Sequence, residues 1–587
     1  MNREKVLVAP DGAHKAVSRY PEKAQVAVDT RPMTDVEILQ QSWSKRAMIV
    51  AFVGLFATSF ICAFVKYSTK VYDAYATSDF SKHSALTTAN IVYTITSLTT
   101  YPIMAKLSDV FGRPQGFFFA ISFMVLSMVL YAACQNIETY IAGGIFESIG
   151  DTGFTIMQQI FIADTTSLIN RGFWSSLPES VAAIPTLYLG TIVADEVLEK
   201  STWRWGYGMW AIILPVAAAP LITTMYFLQR RALKNGFTRK SIWTGEIANM
   251  PLHKRIARLV WVDLDILGAV LMVVGLGLAL IPLSLTGARN SERWKQGSTI
   301  AMLVVGVVVL AVFFLWDAKL AKTPFVPFRM IRERTVIAAC LLSLLDFFHY
   351  STFTIFFPSY LQVVGGYSPG HASRIDNALR VSFQIASVLV GLLMRYTKRS
   401  QLFVLIGVPI VVLGQGLQIY FVNKNGDGPA NEVCFITAKT LVGVGRAFYQ
   451  TAAQVSIQAI VQKEDVAVVT SVYYASMSVG GAIGTRHRLT EYLPGNAKDK
   501  AQSIYKSIVV AQKFDMGTPV RAAINQAYRE TQQKLAIAAT AGLAPMLLIM
   551  FILKNVDLGK ADEGKEPSDG SVHDSEGASK SIDDAKP

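Results

Sequence analysis

The sequence predicts an all-α polytopic membrane protein, and three observations predict it. Stretches of about twenty apolar residues recur along the chain, the helical length that crosses a hydrocarbon core. The loops between them alternate in basicity, and one pattern of small and charged residues occurs twice. Within hydrocarbon every backbone amide must be satisfied inside its own segment, so these stretches are expected to be helices. A soluble enzyme is excluded.

Six spans come first, at 47–65, 88–105, 116–134, 139–162, 173–194 and 205–228. Two follow at 264–285 and 298–316. Six more lie at 336–362, 377–395, 401–422, 432–460, 466–485 and 535–553, about fourteen in all. Orientation follows from Lys and Arg. Arg31, Lys45 and Arg46 precede the first span, and Lys106 and Arg113 follow the second. The loop 229–263 carries Arg230, Arg231, Lys234, Arg239 and Lys240. The loop 317–335 carries Lys319, Lys322, Arg329, Arg332 and Arg334, and Arg395, Lys398 and Arg399 follow the tenth span. All lie on one side if both termini are cytoplasmic, as the positive-inside rule prefers. The loop 486–533 is then extracellular. The net charge of +13 is thereby topology and bilayer contact, not a nucleic-acid footprint.

Residues 1–46 and 554–587 are polar and are expected to be disordered cytoplasmic ends. The first apolar run begins at residue 47, with no basic, apolar, small-residue order before it, so the first span is expected to serve as its own targeting signal. Cys62, Cys134, Cys340 and Cys434 are far apart and read as free thiols in apolar surroundings. No metal site of the protein's own and no cofactor are expected, because no His/Cys cluster has ligand spacing. A phosphate-binding Gly-x-x-x-x-Gly-Lys-Ser/Thr loop is absent, so ATP is not expected to drive the protein directly.

The loop Ala105-Lys106-Leu107-Ser108-Asp109-Val110-Phe111-Gly112-Arg113-Pro114 has a weaker copy in Gly391-Leu392-Leu393-Met394-Arg395-Tyr396-Thr397-Lys398-Arg399. Gly150-Asp151-Thr152-Gly153-Phe154 in the fourth span matches Gly445-Arg446-Ala447-Phe448-Tyr449 in the twelfth. Parallel six-helix halves of this kind mark one transporter architecture. The halves would be spans one to six and nine to fourteen, with two helices inserted between them. The first loop resembles the signature loop of the major facilitator superfamily, with Ala105 in place of the leading Gly. Gly112 suits a tight turn. Asp109 and Arg113, with Gly112 and Arg395 beside them, are expected to gate by pairing across a moving interface.

A narrower resemblance covers nearly the whole chain. Phe146-Glu147, Gln158-Gln159-Ile160-Phe161-Ile162-Ala163-Asp164-Thr165-Thr166, Asn170-Arg171-Gly172, Trp203-Arg204-Trp205-Gly206-Tyr207-Gly208-Met209-Trp210 and Asp265-Ile266-Leu267-Gly268 are similar to the fungal siderophore–iron transporters. That resemblance implies a monomeric plasma-membrane protein, present also in endosomal vesicles, that imports ferric siderophores together with protons. Thr485-Arg486-His487-Arg488 departs from the family by being more basic.

An ionisable residue in a membrane costs about 2.5–3.5 kcal/mol on insertion scales, so it is expected to face a cavity or a partner. Such residues collect in the helices that line a facilitator's cavity: Glu147 and Asp151 in the fourth span, Asp346 and His349 in the ninth, Lys439 and Arg446 in the twelfth. Spans two, three, eight, eleven and thirteen carry almost none in their interiors. Glu147 and Asp151 share a helix face. Two carboxylates so close disfavour double ionisation, so one can hold a proton near neutral pH. Asp346, His349 and Tyr350 also share a face, and His changes charge in the physiological range. These four ionisable groups are the expected proton-coupling residues, against the alternative of a static bridge between Asp151 or Glu147 and Arg446.

Arg446, Tyr449 and Gln450 fall within one turn and, with Tyr350, Gln158 and Gln159, would suit a bulky, oxygen-rich ligand. In the loop 486–533, apolar residues recur at helical spacing around Ile504–Phe514 and Val520–Tyr528, with Pro519 opening the second run. Two short amphipathic helices are expected there, presenting Tyr505 and Tyr528 to ligand. The function expected is proton-coupled import of a ferric siderophore of the hydroxamate type by alternating access. A glutathione–proton exchanger and a fourteen-helix drug–proton antiporter are the alternatives. The antiporters carry Gly-Pro-x-x-Gly-Gly in the fifth span, where this chain reads Ala183-Ile184-Pro185-Thr186-Leu187-Tyr188-Leu189-Gly190. A transporter-like nutrient sensor would carry a longer cytoplasmic extension. The topology has a direct test: a protease site or epitope placed at residue 510 is expected to be reached from outside intact cells, and access from the cytosol alone would overturn it.

Overall fold

A computed structural model describes residues 45–79, 85–234, 250–285, 296–322, 324, 332–354, 356–423, 431–462, 465–484 and 519–563. Six long helices open it: α1 (Lys45–Asp79), α2 (Ala85–Phe111), α3 (Arg113–Ala133), α4 (Ile137–Thr165), α5 (Leu168–Lys200) and α6 (Trp203–Lys234). A short α7 (Leu252–Arg258) and a π-turn (Leu259–Asp263) lead to the inserted pair, α8 (Ile266–Leu285) and α9 (Gly297–Lys319). The second half follows as α10 (Arg334–Thr354), α11 (Phe357–Val364), α12 (Pro369–Thr397), α13 (Gln401–Asn423), α14 (Glu432–Ile460), α15 (Val466–Gly484), α16 (Pro519–Leu543), α17 (Met546–Ile549) and α18 (Leu558–Glu563). This order is consistent with about fourteen crossings, with α10–α11 and α16–α17 as broken spans.

Local sequence sets the helix ends. Gly112 adopts φ 107°, a conformation open to glycine, and so turns the chain from α2 into α3 in one residue. The Asn136 side chain accepts from the Thr139 amide at 2.8 Å and caps α4. Ser368 caps α12 by accepting from the His371 amide, with Pro369 in the first turn.

Among the described residues, eight helices are long and apolar enough to cross a membrane, or nine if the bent pair His253–Val262 and Ile266–Ala279 is one span. Helices α4 and α14 are not among them because their faces carry Asp151, Gln158 and Gln159, or Lys439, Arg446 and Gln450. Neighbouring helices cover those faces, and lipid meets apolar side chains such as Val53, Val216, Phe227, Val307 and Leu315.

The repeat is written in the packing. In the first half α1 packs on α5 and α6, α2 on α4, and α3 on α4 and α6. In the second half α10 packs on α15 and α16, α12 on α14, and α13 on α14 and α16. These are the same pairs in the same order. The halves meet where α5 crosses α12 and α2 crosses α15, while α8 and α9 pack on each other and α8 lies against α2. Asp265 ties the inserted pair: its Oδ1 accepts from the Gly268 amide at 3.1 Å and from Trp316 Nε1 at 3.0 Å.

Two expected boundaries change. The last span does not begin at 535. Helix α16 starts at Pro519, because Arg521 donates to the Val363 carbonyl at 2.6 Å and Gln532 to the Phe353 carbonyl at 3.1 Å, fastening the helix to α10 and α11. The second expected amphipathic helix is therefore the first half of α16, whereas the first, with Tyr505 and the basic run 485–488, lies outside the described residues. The first part of the tail is also structured: the Leu558 amide donates to the Lys398 carbonyl at 2.9 Å, and the Leu558 side chain is fully buried. Residues 1–44 and 564–587 lie outside the described residues.

At the α5–α12 crossing a side chain on Gly391 would meet the backbone of Gly172 and Phe173. Replacing Gly391 by Val is expected to cost about 1–3 kcal/mol through overpacking, read as a lower melting temperature of the purified protein. An unchanged melting temperature would contradict so close a crossing.

Candidate functional site

A cavity of ≈ 460 Å³ lies between the halves. Helix α1 gives it Lys66, Tyr67 and Lys70, α4 gives Gln159, and α5 gives Ser175, Ser176 and Glu179. From the second half come Phe347 and Tyr350 of α10, Arg380 and Gln384 of α12, Arg446, Gln450 and Gln454 of α14, and Tyr474 of α15. Its size falls in the range of small-molecule sites, about 300–1,000 Å³. Among the described residues, four cationic side chains line it against one carboxylate, interleaved with phenols and amides.

The end of the bundle that bears the Arg113 and Lys398 turns is closed. There Gly172 meets Gly391, and Gln454 Nε2 donates to Gln159 Oε1 at 2.8 Å across the halves. The Ser180 hydroxyl lies 2.9 Å from both the backbone carbonyl oxygen and Oε1 of Gln384, and Tyr101 stacks on Tyr474 with centroids 5.5 Å apart. Along α5 and α12 the cavity residues sit farther from that end than Gly172 and Gly391. The cavity therefore occupies the side away from the basic turns.

Beneath the walls, charges close in pairs within each half. Lys66 Nζ lies 2.9 Å from Asp151 Oδ2, which also accepts from the Tyr93 hydroxyl at 2.9 Å. Arg446 donates to both oxygens of Asp346, at 2.8 and 2.7 Å, and Tyr449 and Gln450 add further hydrogen bonds to the same carboxylate. The charges are exchanged between the halves: the fourth helix supplies an acid in the first and a base in the second. Phe347, Tyr350 and Phe383 surround the Arg446 guanidinium, Tyr350 at 4.3 Å, so this cation is built into the wall. A third pair, Lys439 with Asp376 at 2.7 Å, joins α14 to α12 under the rings of Phe353 and Phe357.

Several sequence expectations change in this setting. Glu147 accepts from Tyr131 at 2.7 Å and Asp151 turns to Lys66, so the two carboxylates take different partners. Neither makes the alternative static bridge to Arg446, whose partner is Asp346. His349 is buried against Gln415 of α13, Nε2 to Oε1 3.0 Å, and does not line the cavity. Of the expected ligand residues, Gln159, Tyr350, Arg446 and Gln450 line the cavity. Tyr449 lies behind it on Asp346, and Gln158 accepts from Ser59 at 2.6 Å. Tyr528 packs beside Phe353, Phe357 and Tyr360 rather than on a free flap. Asp109 and Arg113 do not pair across the halves: Arg113 is buried, donating to Asp109 and Ser108 at 2.6 Å and to Asp164 at 2.8 Å, all within the first half. Arg395 is exposed.

Lys66, Lys70, Glu179, Arg380 and Gln384 were not anticipated. Glu179 and Arg380 lie inside the expected fifth and tenth spans, so the cost of a charge in hydrocarbon, applied to those spans, would have found them. Lys66 falls one residue beyond the expected end of the first span.

Two six-helix halves with matching packing thus enclose a polar cavity. The model of the Major Facilitator Superfamily matches residues 47–485. The siderophore iron transporter mirC of Emericella nidulans is 34% identical over 91% of this chain and 89% of its own length. The chain belongs to the siderophore–iron transporter family of the major facilitator superfamily. The MFS siderochrome iron transporter C of Aspergillus fumigatus is 35% identical, over 90% of this chain and 87% of its own. Among solved structures, a peptide transporter POT shares the fold at TM-score 0.54 and 14% identity, covering 89% of this chain and 100% of that one. A bacterial homologue of ferroportin in its outward-facing state does so at TM-score 0.51 and 10% identity, covering 85% and 99%.

The Asp346 network has a sharp consequence. Removing one partner of a buried pair strands the other, at about 3–5 kcal/mol. Asp346→Asn is expected to lower the melting temperature and the yield of folded protein, and adding Arg446→Gln to recover part of the loss. A single variant as stable as the parent protein would show that the pair is dispensable.

Proposed function

We propose that this protein imports a ferric siderophore, of the hydroxamate type, across the fungal plasma membrane, driven by protons and by alternating access of its two halves. The observation that carries the reading is the cavity itself: Arg380, Arg446, Lys66, Tyr350, Gln159 and Gln450 present donors from both halves around one space. A chelate that wraps its iron offers a surface of oxygen acceptors, which guanidinium, phenol and amide groups suit. Iron is cargo here and arrives already coordinated.

Both termini are assigned to the cytoplasm, which makes the closed end the inner gate and the cavity outward-facing. The protein acts as a monomer, at the plasma membrane and also in endosomal vesicles. In the proposed cycle the halves rock about the α5–α12 and α2–α15 contacts. The outer ends close over the chelate, and the bonds Gln454–Gln159 and Ser180–Gln384 release at the inner end. The ion pairs Lys66–Asp151 and Arg446–Asp346 each lie within one half, so both travel intact through that motion. The same cations would accept the carboxylates of glutathione, which keeps a glutathione–proton exchanger as the competing reading.

In cells lacking their own siderophore uptake, expression is expected to confer accumulation of radiolabelled iron supplied as a ferric hydroxamate. A protonophore should abolish it, and removal of external sodium should not. Unchanged chelate uptake together with proton-linked glutathione exchange would establish the competing reading instead.

A further inference from the structure

We propose that Glu179 of α5 carries the coupling proton. The inference rests on the proton-driven import proposed above and adds the group that performs it. Five other interior carboxylates have partners of their own. Asp151 is held by Lys66 and Tyr93, Asp164 by Arg113, Asp346 by Arg446, and Asp376 by Lys439. Glu147 accepts from Tyr131. Glu179 is the one carboxylate among the cavity-lining residues, exposed to its space, and among the described residues it forms no ion pair.

Gln384 of α12 lines the same cavity from the other half. The Gln384 Oε1 lies 2.9 Å from the hydroxyl of Ser180, the residue next to Glu179 in the chain. The carboxylate thus sits on the cavity wall, beside the Ser180–Gln384 contact between the two halves. The groups facing it from the surrounding helices are Lys66, Tyr67 and Lys70 of α1, Asp151 of α4, Tyr101 of α2, Arg380 of α12, Arg446 of α14 and Tyr474 of α15. Lys66 is already the counter-ion of Asp151, and Arg446 that of Asp346. Arg380 donates to the Tyr350 hydroxyl at 3.2 Å.

Closing the cavity removes the water that solvates Glu179. An ionised carboxylate without a cation of its own is costly in a dry site, and protonation removes the cost. The carboxylate takes one proton from the outer solution while the cavity is open, crosses the occluded state as the neutral acid, and returns that proton to the inner solution. The carboxylate is regenerated, so one proton moves per cycle and no bond of the chelate changes.

The test uses full-length protein in proteoliposomes, with radiolabelled iron as ferrichrome, ferrioxamine B and triacetylfusarinine C. Two rates are compared: accumulation driven by an imposed proton gradient, and counterflow exchange with no gradient. Glu179→Gln is expected to lose the driven accumulation and the accompanying internal acidification. It should still carry out counterflow, now insensitive to pH, and Glu179→Asp should retain driven uptake. Driven accumulation by Glu179→Gln equal to that of the parent protein overturns the assignment alone. Loss of counterflow in Glu179→Gln as well makes Glu179 a ligand-binding residue and also overturns it. Parent protein that moves these chelates without response to the gradient, or moves none of them, overturns the transport reading and the assignment with it.

Discussion

A charge inside a membrane protein must be neutralised by something within reach of its own side chain, because each unpaired one costs several kcal/mol. For four interior carboxylates of this chain that constraint is met locally within each half. Asp151 closes on Lys66, Asp164 on Arg113, Asp346 on Arg446 and Asp376 on Lys439. Each half can therefore move as a body without breaking any of these four pairs. Among the described residues, neutral contacts join the halves: amide–amide and hydroxyl–amide hydrogen bonds, a glycine crossing and a tyrosine stack. Neutral contacts cost little to break beside water, which suits surfaces that must part and meet again.

The repeat gives this arrangement its geometry. Equivalent helix pairs pack in both halves, so the faces turned toward the shared space come from equivalent positions. The chemistry at those positions is not equivalent. Asp151 and Arg446 occupy matching places in the fourth helix of each half, and each recruits its opposite from the first helix of its own half. Exchanging the sign preserves neutrality while placing different donors on the two walls. The cavity remains rich in cations because Arg380 and Lys70 line it in addition to the two paired bases, with Glu179 as the single lining acid among the described residues.

The fold class, the order of spans and the family were legible in the sequence. Apolar length and loop charge are properties of contiguous residues and need no tertiary information. The glycine turn at Gly112, the repeated loops and the polar character of the fourth and twelfth spans were equally local. So was the concentration of costly residues around Arg446 and Asp346, because expense is set by residue type and depth.

The partners of those residues were settled by tertiary structure. Spacing placed Glu147 and Asp151 on one face, yet small differences in direction send one to Tyr131 and the other to Lys66. His349 and Asp346 were likewise grouped by spacing and separated by packing, one against α13 and the other against α14. The start of the last helix moved upstream because contacts with α10 and α11 support residues whose own polarity reads as loop. Glu179, Arg380 and Lys66 became neighbours through the crossing of α1, α5 and α12, at sequence separations that no local pattern spans. A helix carries its residues in a fixed angular order, but its rotation against distant helices decides which of them meet, and that rotation is a property of the whole bundle.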